Sequence, residues 1–106
     1  MAIAPRQVAQ PTIDGPLPIC RGYQQLDSTA LGVSSALTVP EGTSMVLLQA
    51  ELVSVRYRAD GVDPTGSVGM LLAAGGELLY PAGIEEIQRL RFIRTAPGAT
   101  LNVAYY

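Results

Sequence analysis

The chain has 106 residues, 48% of them hydrophobic and only 15% charged, with a formal net charge of −2. That length supports a single domain with one modest core and excludes two large domains. No stretch approaches the roughly 20 uninterrupted apolar residues that a bilayer crossing needs, so no membrane association is expected. The most apolar segment, Met45 to Tyr57, is broken by Gln49, Glu51, Ser54 and Arg56.

Missing residue types narrow the chemistry further. There is no His, no Lys and no Trp, and Cys20 is the only cysteine. The commonest general acid/base and metal ligand is therefore absent. Schiff-base and P-loop lysine chemistry is excluded, as are an intrachain disulfide and a multi-cysteine zinc site. No G-x-S-x-G, Walker A or G-x-G-x-x-G motif occurs. Neither an enzyme nor a cofactor is expected. All cations are arginine: Arg6, Arg21, Arg56, Arg58, Arg89, Arg91 and Arg94. A pI near 4.9 argues against a broad nucleic-acid footprint. The start, Met1 to Arg6, has neither a basic n-region nor an apolar h-region, so export by a signal peptide is not expected. Synthesis and assembly in a reducing cytoplasm follow, with Cys20 as a small buried hydrophobe.

In chain order, residues 1–16 carry Pro5, Pro11, Pro16 and Gly15 without helical or strand periodicity. They suggest an extended N-terminal arm that docks through Ile3, Val8 and Ile13. Residues 17–106 then form the domain. Leu17–Gln25 and Ser35–Val39 are expected strands, the second closed by the turn Pro40-Glu41-Gly42. In Met45–Arg58 the apolar phase flips between Leu52 and Val53. Side chains in a strand alternate with period 2, so a β-bulge near Leu52–Ser54 is expected. The run Ala59 to Gly66 is dense in turn residues. Val68–Leu72 and Glu77–Tyr80 are further strands, and Ile84–Gln88 is a helical turn. Leu90–Thr95 and Thr100–Tyr106 complete the set, with Leu101, Val103 and Tyr105 on one face. Short strands between Gly/Pro turns indicate an all-β sandwich or small barrel.

Few residues suggest a site. Asp60 and Asp63 lack the spacing of a calcium loop and read as turn chemistry. Glu85 and Glu86 are adjacent and diverge, which does not suit paired acid/base catalysis. Arg56 and Arg58 share a strand face, and Arg89, Arg91 and Arg94 follow later in the chain. They suit either a basic patch or outward positions paired with Glu51, Glu77, Glu85 or Glu86. Five tyrosines (Tyr23, Tyr57, Tyr80, Tyr105 and Tyr106) allow a sugar platform or ordinary strand packing.

The run Val55-Arg56-Tyr57-Arg58-Ala59-Asp60-Gly61-Val62-Asp63-Pro64-Thr65-Gly66, continuing through Ser67 to Leu72, carries a resemblance. With Gly76 to Tyr80, Leu90 to Arg94 and Leu101 to Tyr106, it resembles small structural proteins of tailed bacteriophages over about the C-terminal half of the chain. The resemblance implies a single jelly-roll-like β-sandwich and a virion component without catalytic residues. The chain is accordingly expected to be a capsid decoration or cement subunit on the capsid surface. There it would bind and stabilise the major capsid protein shell, as a homo-oligomer. The expected contact residues are Ile3, Arg6, Val8 and Ile13 of the arm, with Arg56, Arg58, Arg91 and Arg94. The alternative is a receptor- or glycan-binding module of a phage tail or fibre.

Overall fold

Alternating apolar positions make strands, and the Gly- and Pro-rich breaks set where each one stops. In the computed structural model, which describes residues 19–106, eight strands form. They are β1 (Gly22–Leu26), β2 (Ser35–Ala36), β3 (Met45–Glu51), β4 (Val55–Arg58), β5 (Met70–Leu72), β6 (Glu77–Pro81), β7 (Arg91–Arg94) and β8 (Thr100–Tyr105). One helical turn, α1 (Ile84–Gln88), precedes β7, where the sequence places it. The chain is all-β: two antiparallel four-stranded sheets, ordered β1-β8-β3-β6 and β2-β7-β4-β5. The arm over residues 1–16, with Ile3, Arg6, Val8 and Ile13, lies outside the described residues.

Facing rows from the two sheets make the core. Val46, Leu48 and Ala50 of β3 and Leu101, Val103 and Tyr105 of β8 are buried from one side. Val55, Leu72 and Phe92 meet them from the other, with Ile87 of α1 and Leu90 filling the same cluster. Tyr57 and Phe92 extend it, their ring centroids 6.2 Å apart. Tyr105 donates its hydroxyl to Gln24 Oε1, which also accepts the Thr38 N–H at 3.0 Å. Burial pushes the Tyr105 phenol up to about 12, above the usual phenol range. The stabilisation from its neutral form is therefore complete below the unfolded value and lost as the pH rises through about 12.

The phase flip resolves as a change of sheet. β3 pairs with β6 and β8, whereas β4 pairs with β5 and β7. The expected bulge is replaced by a corner at Leu52, Val53 and Ser54. A bulge keeps a strand in its ladder, but here every pairing partner is exchanged. Val53 N–H donates to Glu51 O at 2.8 Å, across Leu52 at φ 72. That is a γ-turn with positive φ, the rarer and more strained kind.

Two expectations near the start of the domain are corrected. Among the described residues the first strand begins at Gly22, leaving Ile19 to Arg21 outside it, and the second spans only Ser35–Ala36. Cys20 therefore precedes the paired region and is exposed, not a buried hydrophobe. The tyrosines do not share a platform either. Tyr105 is buried, Tyr57 stacks on the core, and Tyr23 stands 63% exposed on the outer face of the first sheet.

Leu52 is 79% exposed, so little packing is lost if it is shortened. Relief of its positive φ outweighs the extra chain entropy of glycine. Leu52→Gly should raise the unfolding free energy by roughly 1 kcal/mol in a urea titration. A loss of stability would show that the corner is not strained.

Candidate functional site

Residues 59–69 join β4 to β5 and fold back as a strap over the outer face of the second sheet. Pro64 is buried, and it packs so closely on Gly69 that a Cβ there would lie 3.2 Å from Pro64 Cβ and 3.1 Å from Tyr57 O. Gly69 also sits at φ 137, where only glycine is unstrained. Thr65 and Val68 form a bridge that tightens the strap's far end.

Arginines fasten this strap. Arg56 points outward from β4 and runs beneath it, Nε donating to Gly66 O at 3.2 Å and Nη1 to Gly69 O at 2.9 Å. Arg58 grips Asp60 with both arms of its fork, at 3.1 and 2.5 Å. Asp60 also accepts the Val62 N–H, and its own carbonyl accepts from Arg89 Nη2 at 2.9 Å. Asp63 accepts from Ser34 Oγ at 2.8 Å, tying the strap to the segment before β2. Every clamp meets a backbone carbonyl or a strap carboxylate. The Arg58 guanidinium holds the Asp60 carboxyl down at about 2. Its bond to Arg58 is therefore in place above the usual carboxylate range and lost only as the pH falls through about 2.

Strand register decides which expected contact residues come together. Arg56 lies opposite Ile93 and Leu71, and Arg58 opposite Arg91, all on the outer face of the second sheet. Two like charges directly opposed would be unfavourable by themselves. They are separated because Arg58 turns to Asp60, while Arg91 Nη1 turns to Gln88 O at 2.7 Å and Leu90 O at 3.0 Å. Arg94 does not join them. It is registered with buried Val55, faces the other way, and donates to Ser28 O at 2.8 Å and Ser28 Oγ at 2.9 Å. Arg58–Asp60 is the one ion pair among the described residues, so the expected pairs with Glu51, Glu77, Glu85 and Glu86 are not formed there. Apart from Arg58, the forks of Arg56, Arg89, Arg91 and Arg94 donate to backbone carbonyls.

Beside the clamps apolar side chains stand exposed on both faces of β5 and on the strap, which periodicity does not reveal. Val62, Val68, Met70 and Leu71 are each at least half exposed. A shallow groove of about 530 Å³ opens between Arg58, Ala59, Asp60, Val68, Gly69 and Met70. The outer face of the first sheet differs in kind. Asn102 accepts from Tyr23 Oη and Gln25 Nε2 and donates to Gln49 Oε1 and Glu51 Oε1, so all four of its hydrogen-bonding positions are filled. The polar groups of that row are satisfied among themselves, beside the half-buried apolar row Leu47, Leu79 and Ala104. Among the described residues no cluster of three or more His, Cys, Asp or Glu is placed to hold a metal ion. No family model, no curated protein and no solved structure matches this chain.

Arg56→Met keeps the stem but leaves Gly66 O and Gly69 O without their donor. It should cost about 1–3 kcal/mol in denaturant unfolding, and Arg56→Lys should restore only part, since one ammonium cannot span both carbonyls. An unchanged midpoint for Arg56→Met would remove the clamp from the account.

Proposed function

We propose that the chain is a jelly-roll subunit of a tailed-phage virion, a decoration or cement protein that binds the major capsid protein shell and stabilises it as a homo-oligomer. The observation that carries this is the strand order, β1-β8-β3-β6 against β2-β7-β4-β5. That order supports an eight-stranded double Greek key, an architecture that recurs in viral capsid domains. The segment that resembles phage structural proteins supports the same reading, because its residues make one unit: β4, the clamped strap and β5. A rigid, clamped surface loses little entropy on docking, which suits a protein whose role is adhesion.

In this reading the shell contacts the strap face of the second sheet. Arg58, Arg91 and exposed Val62 and Val68 meet it directly, while Arg56 and Arg94 act by fixing the segments they hold. In the same reading Ile3, Arg6, Val8 and Ile13, which fall outside the described residues, contribute to shell binding. Lectin domains also use this architecture, and Tyr23 stands exposed beside the amide row of the first sheet, so the second reading is a glycan-binding tail or fibre module.

Imaging of purified virions separates the two. Many copies spread over the head shell are expected, and deletion of residues 1–16 should lower occupancy while the folded domain persists. Density confined to the tail tip or neck, together with binding to host cells in place of bare heads, would overturn the cement reading.

A further inference from the structure

Each sheet has two edges, and three of the four are blunted. β6 begins at Glu77 and ends at Pro81, and β2 is only two residues long. β1 lies between Arg21 and Asp27. Charge, proline and brevity are the usual protections against edge-to-edge pairing. β5 is different. It is short, yet it carries exposed Met70 (63%) and Leu71 (54%), with exposed Val68 just before it. From Pro64 through Gly76 the chain has no charged residue, and no proline follows Pro64 there. β4 occupies one side of β5, and no strand among the described residues pairs with the other.

We infer that the free edge of β5 is the surface through which two copies of this chain associate, antiparallel and about a two-fold axis. The second sheet would then run continuously from one protomer into its partner. The charge argument selects a second copy as the occupant. A chain with net charge −2 repels its own kind, and contact is least opposed where an uncharged strand meets itself. Arg58 and Asp60 on the groove rim are mutually neutralised, so they add no repulsion across the axis. An antiparallel pairing is self-complementary, as an isologous dimer requires. Its axis passes at the middle residue of Met70–Leu72, which sets Leu71 opposite Leu71 of the partner subunit.

This names the surface for the homo-oligomer of the proposed function. It is decided on purified protein, whereas the shell-binding reading is decided on particles. Sedimentation of the full-length chain over a concentration series should show a monomer–dimer equilibrium. Leu71→Lys is expected to weaken it at least ~10-fold by opposing two ammonium groups across the axis, and because the new charge also stands opposite Arg56, the uncharged Leu71→Cys variant serves as the independent check. In a Cys20→Ser background, Leu71→Cys should oxidise to a covalent dimer, because directly opposed strand residues lie within disulfide reach. Three results would overturn the inference. The first is a monomer at every concentration, and the second a dimer indifferent to Leu71→Lys that leaves Leu71→Cys reduced. The third is a dimer abolished by Val8→Lys but not by Leu71→Lys, which would make residues 1–16 the occupant.

Discussion

One constraint organises this molecule: a single apolar segment must serve two sheets. Val46, Leu48 and Ala50 face the core from one side, and Val55 faces it from the other, with only Glu51, Leu52, Val53 and Ser54 between Ala50 and Val55. Period-2 alternation cannot satisfy both rows within one ladder. The chain therefore turns through a positive φ at Leu52, a local cost of about 1–3 kcal/mol. Burial of the two facing rows offsets it, since each large core side chain removed from water contributes about 1.5–3 kcal/mol. The corner also fixes β3 over β4. The remaining strands add outward from that stacked pair.

A consequence of so few charges is that the arginines are used internally. Seven cations against nine carboxylates would allow many ion pairs, but exposed pairs are worth little. Arg56, Arg89, Arg91 and Arg94 instead donate to backbone carbonyls of connections that have no ladder of their own. A planar fork can bridge two such oxygens at once, as Arg56 does for Gly66 and Gly69. The long connection from β4 to β5 thereby becomes part of the second sheet's surface. Its apolar residues, Val62 and Val68, are presented on a fixed base.

Much of the fold was legible in the residues. The alternation of Leu101, Val103 and Tyr105 placed β8 and its buried face correctly, and the Ile84–Ile87 spacing located α1. The phase flip at Leu52 marked the sheet change, though as a bulge, because alternation reports which face is apolar and not which strand lies alongside. Cys20 was misplaced since hydrophobicity alone does not reveal where pairing begins. The site was less legible. That Arg56 and Arg58 share a face followed from spacing, but the strap above Arg56 depends on a Pro64–Gly69 contact with no periodic signature. The exposure of Met70 and Leu71 depends on β5 being an edge, which is a non-local fact about strand order.

Adhesion through the strap side of the second sheet is the claim on which the functional account turns. Backbone amide hydrogen exchange, compared between free protein and protein bound to capsids, interrogates it residue by residue. New protection concentrated over residues 58–69 is the expected outcome. Protection confined to the Tyr23–Asn102 face of the first sheet, with residues 58–69 exchanging as in the free chain, would contradict it.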